Sequence, residues 1–199
     1  MAREKRVWFP GAMYHIMARG NYRQNIFKDK KDYDVFLVLM HDAMKQYNFQ
    51  VHAYCLMTNH YHILLETSDK EIWLIMKKIN QLYAAYFNEK NQLIGHLFQG
   101  RYKSSLVQND AYFLQTSRYI HLNPVKAKMV SYAEDYLWSS YRTFIGMDQN
   151  KIVTVEKIYT YFKSPTNLAY REFVEDTTLN RYEETIRKNM GEDDLWLPW

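Results

Sequence analysis

Apolar residues along the chain switch between two periods, and the switches mark the elements. Met13 to Arg19 suits a short strand, ended by Gly20-Asn21. From Asp32 to Asn48 the positions Tyr33, Phe36, Leu37, Met40, Met44 and Tyr47 recur at helical spacing. Val51 to Met57 alternates, with Val51, Ala53, Cys55 and Met57 on one side. Thr58-Asn59 makes a tight turn, and His60 to Thr67 alternates again, Tyr61, Ile63 and Leu65 opposing His60, His62, Leu64 and Glu66; the pair reads as a hairpin. Asp69 is placed to cap a second helix, whose stripe of Ile72, Ile75, Met76, Ile79, Leu82, Tyr83 and Tyr86 runs to about Asn88. Arg101 to Val107 is a candidate strand. Asn109 or Asp110 then caps a helix expected to end near Asn123, because Pro124 disfavours helical geometry at the residue before it.

In order this is β-α-β-β-α-β followed by one further helix: an α+β, ferredoxin-like split arrangement with an antiparallel sheet and both crossover helices on one face. Such a sheet is expected to leave its other face free for a ligand. Residues 1–130 are expected to form this domain. Residues 131–199 hold shorter helical pieces, such as Trp138 to Phe144 and Tyr170 to Val174, and are expected to pack on it as a helical appendage.

Length and composition narrow the class. The chain has 199 residues, 47% hydrophobic and 17% aromatic, which excludes a disordered chain, and its single cysteine excludes a disulfide scaffold. The longest apolar run, Val35 to Met40, is far short of the ~20 residues that span a bilayer, and the basic N-terminus has no apolar stretch of a secretory signal behind it. A cytoplasmic, nucleoid-associated protein without membrane contact is expected. The net charge of +4 is unevenly spread: residues 164–199 hold 4 basic and 8 acidic side chains, so residues 1–163 hold the remaining 22 basic and 14 acidic. A basic body with an acidic tail suits a polyanion partner.

Three groups of residues carry candidate chemistry. His60 and His62, one residue apart on a strand, project from one face, and two neutral imidazoles side by side suit a divalent metal. On the later helix Tyr119 and Asn123 lie about 40° apart around the axis, a phenol nucleophile beside an amide oxygen acceptable to a hard cation. Tyr112, seven residues earlier, lies about 20° from Tyr119, so periodicity does not choose between them, whereas His121 is about 200° away. Arg19, Asn21, Tyr22 and Arg23, with Gln99, Arg101, Tyr102 and Lys103, interleave basic and aromatic side chains that suit phosphates and unpaired bases of single-stranded DNA or RNA.

Five segments in unbroken order resemble the single-tyrosine HUH transposases, most nearly the bacterial REP-associated tyrosine transposases: FPGAMYHIMARGNYRQNIF, AYCLMTNHYHILLE, GHLFQGRYKSSLV, SRYIHLNPVKAKMV and YLWSSYR, within residues 6–145. The resemblance implies a ferredoxin-like nuclease that cuts one DNA strand at or near a hairpin. It assigns the HUH motif to His60, Tyr61 and His62, the nucleophile to Tyr119 and not Tyr112, and the third ligand to Asn123. Arg118 and Lys126 join the expected DNA-binding residues. Two departures are mild: the apolar middle position is Tyr61, and Lys126 stands where the family usually has arginine.

The activity so implied is metal-dependent cleavage and rejoining of single-stranded or hairpin DNA through a 5′-phosphotyrosine, with Mg²⁺ or Mn²⁺ held by His60, His62 and Asn123 and no nucleotide cofactor. The protein would act as a monomer or homodimer. Competing readings are a non-cleaving protein that binds structured DNA or RNA, and an HUH replication initiator or relaxase.

Overall fold

Four strands, β1 (Met13–Arg19), β2 (Gln50–Met57), β3 (His60–Glu66) and β4 (Lys103–Leu106), pair antiparallel in the order β2-β3-β1-β4. Helices α1 (Lys30–Tyr47) and α2 (Ile72–Asn91) make the two crossovers, so the architecture is the expected ferredoxin-like βαββαβ, here seen in a computed structural model that describes residues 7–177 and 183–190. Residues 178–182 and 191–199 of the expected appendage, and residues 1–6 of the expected domain, lie outside the described residues.

Helix starts follow capping chemistry more closely than apolar spacing. Asp29 caps α1 and forms a capping box with Asp32, so the helix begins at Lys30 and Asp32 lies inside it. Asp32 is buried and held by Lys90 at 2.6 Å. The expected cap Asp69 does not cap α2: it accepts from Ser68 and pairs with Lys70, and Glu71 takes the cap position without a side-chain bond. The buried stripe of α2 is Ile72, Ile75, Met76, Ile79, Tyr83 and Phe87, while Leu82 is exposed on its flank. At 3.6 residues per turn, Tyr83 and Phe87 continue the row that Leu82 leaves.

Alternation sorts the strands onto two cores. Tyr14, Ile16, Ala18, Tyr61, Ile63 and Leu65 face α1 and α2. Val51 joins them with Tyr54 and Leu56, whereas Ala53, Cys55 and Met57 face the other way. The expectation that Val51 shares a side with these three fails because an irregularity in register lies between Val51 and Ala53. One additional residue shifts a period of two onto the opposite face.

The other face of the sheet is not open. Helix α3 (Asp110–Lys126) lies against β2 and β3, and α4 (Tyr141–Phe144), α5 (Glu156–Tyr159), α6 (Thr166–Glu175) and α7 (Glu183–Met190) complete a second core with it around Leu64, Phe113, Ile120, Tyr141, Phe144, Tyr170 and Ile186. The cause is compositional: Ala53, Cys55, Met57 and Leu64 make that face apolar, and it must be covered. The main chain around Trp138 docks on the edge of β2, with Leu56 N–H donating to Trp138 O at 2.9 Å and Ser140 N–H to Tyr54 O at 3.0 Å. Asn109 caps α3, accepting from Tyr112 N–H. The helix does not stop near Asn123 but continues through Pro124 to Lys126. Proline in the last turn forfeits one backbone bond, and Ala127 N–H resumes the ladder at Asn123 O, 2.9 Å away.

His121 joins α3 to this covering layer. It is fully buried and bridges Ser140 Oγ and the Tyr170 hydroxyl, each at 2.8 Å. Burial pushes its pKa down to about 3 from the ordinary 6.5. The unfolded chain binds a proton below about 6.5 that the folded protein refuses until about 3. Stability is therefore expected to fall as pH drops through that window, by up to about 1.4 kcal/mol per pH unit from this group. Urea denaturation at pH 7.5 and pH 5 measures it, and His121→Gln should be less stable at pH 7.5 with a flatter pH dependence.

Candidate active site

Pairing of the two central strands fixes the site's frame: Arg19 opposes His60, Met17 opposes His62 and His15 opposes Leu64. Since alternate residues share a face, His15, Arg19, His60 and His62 all lie on the side covered by α3. The His60 and His62 rings stand 5.0 Å apart between centroids at 87°. His60 is half-buried and its Nδ1 donates to Asn59 Oδ1 at 2.6 Å, which directs Nε2 as its lone-pair nitrogen. His62 is fully buried, and burial pushes its pKa down to about 3, so it is neutral at ordinary pH.

Helix α3 brings Tyr119 to these imidazoles. The Tyr119 ring meets His62 edge-on, with centroids 5.9 Å apart at 86°, and meets His15 at 5.9 Å and 69°. Asn123, one turn further, is buried, and its amide donates to Tyr119 O at 3.4 Å. Tyr112 stands elsewhere: its hydroxyl accepts from Asn189 of α7, and it lines a groove between β4 and α7. The two tyrosines that periodicity leaves equivalent are thus separated by what packs around them.

Two imidazoles and an amide form the candidate cation-binding set. Among the described residues no group of three or more His, Cys, Asp or Glu side chains could hold a metal ion, and the donor of another type on the helix that bears Tyr119 is the Asn123 amide. Rings sharing one ion through nitrogens about 2.1 Å from it have centroids on the order of 5 Å apart. The 5.0 Å separation of His60 and His62 fits that requirement, as does the neutrality of His62.

His15 was not among the residues singled out from sequence. It is fully buried on β1, and its Nε2 lies 3.0 Å from His62 Nδ1. Its only local signal is a place in alternation with Met17 and Arg19. Nothing local states which residues of β3 stand opposite.

Most of the basic and aromatic residues gather at the same end of the sheet. Arg19 donates to Gln99 Oε1 through Nη2 at 2.8 Å and Nε at 3.2 Å, and Gln99 N–H returns a bond to Arg19 O. Asn21 N–H donates to Leu97 O, Gly20 N–H to Asn59 O, and the Asn59 amide to Arg23 O. These bonds lace residues 19–23, Asn59 and residues 97–99 into one platform beside His60. A Cβ on Gly20 would come within 2.1 Å of Gln24 O, so the bend admits no side chain. Tyr22 and Arg23 are held at positive φ of 50° and 59°, and Tyr22 is 94% exposed. Arg101 and Lys103 are also exposed, the latter on the edge strand β4.

Three expected DNA contacts lie off this platform. Tyr102 is buried in the first core, where its ring is worth more as packing than as a stacking surface. Arg118 is 3% exposed; its Nε donates to Phe173 O at 3.1 Å and its Nη2 to Asp176 O, so it satisfies carbonyls at the end of α6. Lys126 pairs with Glu183 of α7 at 2.5 Å, with its ammonium 5.2 Å from the Tyr119 ring centroid. Basic side chains seen only in sequence carry no label for whether a phosphate or a helix end will use them.

The family described as "Transposase IS200 like" matches residues 9–123. Among solved structures, a REP-associated tyrosine transposase bound to a REP hairpin shares the fold, with a TM-score of 0.62 at 15% identity, covering 77% of this chain and 98% of that one. A Deinococcus radiodurans R1 protein assigned as a transposase gives a TM-score of 0.42 at 16% identity over 68% of this chain and 98% of its own. tRNA(His) guanylyltransferase from Saccharomyces cerevisiae gives 0.43 at 10% over 98% and 85%. No curated protein sequence matches the chain.

The two kinds of arginine are separable by experiment. Arg118→Ala is expected to cost about 1–3 kcal/mol of stability, because it strands buried carbonyls, while leaving hairpin-oligonucleotide affinity nearly unchanged. Arg23→Ala should keep stability, weaken hairpin binding and lower the salt slope of binding by about 1. Denaturation curves and binding titrations at two salt concentrations would show the contrast; its reversal would move Arg118 into the DNA interface.

Proposed function

The chain belongs to the IS200-like transposase family, and on that premise we propose that it cleaves and rejoins single-stranded DNA at or near hairpins, with Tyr119 as nucleophile and a divalent cation held by His60, His62 and Asn123. The observation that carries this reading is the edge contact of Tyr119 with His62, with Asn123 one turn later on the same helix. The solved hairpin complex of a protein with this fold supports DNA as the substrate class. Among the described residues no helix is long and apolar enough to cross a membrane.

In the proposed reaction the Tyr119 oxygen attacks the scissile phosphorus. A P–O bond to tyrosine forms, the P–O3′ bond breaks, and the proton lost by the phenol is balanced by the one gained by the departing 3′ oxygen. The products are a 5′-phosphotyrosine link and a free 3′-OH. The link conserves the bond energy, so a 3′-OH can reverse the step without a nucleotide cofactor. When bound, Mg²⁺ or Mn²⁺ supplies Lewis-acid stabilisation of charge developing on the phosphate oxygens. His62, neutral and buried, and His60, oriented by Asn59, are fit to hold it. Lys126, steadied by Glu183, sets positive charge beside the Tyr119 ring. The platform from Arg19 to Arg23, with Gln99, Arg101 and Lys103, would take the phosphates and bases of the strand that leads to His60.

Tyr119→Phe should fold normally and form no covalent adduct with a labelled hairpin and Mn²⁺ on a denaturing gel, whereas Tyr112→Phe should retain the adduct. An adduct mapped to Tyr112 would overturn the assignment. His60→Ala, His62→Ala or EDTA should lower cleavage by roughly 100-fold or more, the loss of several kcal/mol of charge stabilisation, while hairpin binding largely persists.

A further inference from the structure

We propose that His15 is a positioning residue for the cation site: its Nε2 accepts the Nδ1–H of His62 and so holds His62 in the tautomer that offers Nε2 to a divalent ion. This rests on the cation-site reading above and adds a residue to it.

The geometry leaves few choices. His15 Nε2 and His62 Nδ1 are 3.0 Å apart, and the ring centroids are 5.1 Å apart with planes tilted by 33°. Both imidazoles are fully buried, where charge is costly, so of the two facing nitrogens one donates and the other accepts. If His15 donated, His62 would carry its own proton on Nε2 and could offer no lone pair from that nitrogen. Its Nδ1 would already be spent on His15. Only the opposite polarity, with His62 donating, makes His62 a ligand.

That polarity places the remaining proton of His15 on Nδ1, which is buried and has no hydrogen-bond partner among the described residues. A buried imidazole N–H without a partner weakens the fold, and the neighbours on this face, Met17 and Leu64, show that an apolar side chain would suit the position. His15 is therefore poorly explained as a packing residue. It sits on a central strand, paired on one side with Leu64 of β3 and on the other with Ser105 of β4, so its backbone is fixed from both sides. A rigid acceptor is what a ligand ring buried beneath α3 needs to keep one orientation.

The test is Mn²⁺ binding to the full chain without DNA, by titration calorimetry, on wild type, His15→Leu, His15→Gln and His60→Ala. Groups behind a metal ligand typically contribute about 10–100-fold in affinity, so His15→Leu is expected to bind Mn²⁺ that much more weakly. Its metal-free melting temperature should not fall. His15→Gln, which restores an acceptor oxygen, should recover most of the affinity. Unchanged affinity in His15→Leu overturns the proposal, as does weakened binding that follows a loss of metal-free stability and is not rescued by glutamine. If wild type and His60→Ala are alike in lacking a Mn²⁺ site, the cation-site reading itself fails, and this inference with it. Should His15→Leu not fold, ¹⁵N imidazole spectra of wild type decide: a proton on Nδ1 of His62 supports the proposal, and one on Nε2 overturns it.

Discussion

The register of β1 against β3, with Arg19 opposite His60 and Met17 opposite His62, governs both the core and the site. Because side chains alternate with a period of two, a slip of one residue in β3 would carry His60 and His62 into the core beneath α1 and α2 and expel Tyr61, Ile63 and Leu65 from it. The apolar residues of that core therefore hold the register, and the imidazoles on the opposite face inherit it. The same pairing brings His15 within hydrogen-bond distance of His62 and sets Arg19 beside His60, at the end of the sheet where the loops are laced together.

A polar site on a sheet covered on both faces creates a second constraint. His15, His62, His121, Tyr119 and Asn123 are all buried, and none of the three histidines can be charged there without large cost. The fold meets this by bonding them in neutral pairs and by giving α3 two functions along its length. One side carries Tyr119 toward β1 and β3, with Asn123 one turn later; the other carries His121 and Arg118 toward the segments after residue 131, which they hold through Ser140, Tyr170 and the end of α6. The covering layer is thereby coupled to the helix that bears the candidate nucleophile. A change that loosens α6 or α4 would also loosen the placement of Tyr119.

The features decided by local pattern were legible in the chain alone: the order of strands and helices, the hairpin around Thr58-Asn59, the shared face of His60 and His62, and the ordered motifs that point to the transposase family. Each depends on residues within a few positions of one another, where periods of 2 and 3.6 and turn chemistry act directly. Tertiary structure decided what depends on partners distant in sequence. The irregularity before Ala53 moved Val51 to the other core; the apolar second face drew α3 and the C-terminal helices over it; Tyr102 went to packing and Arg118 to the carbonyls of α6. Tyr119 and Tyr112 differ because one meets His62 and the other meets Asn189 of α7. His15 acquires its partner only through pairing with a strand some 47 residues away, since hydrogen bonds and burial belong to the assembled neighbourhood and not to the period of any one segment.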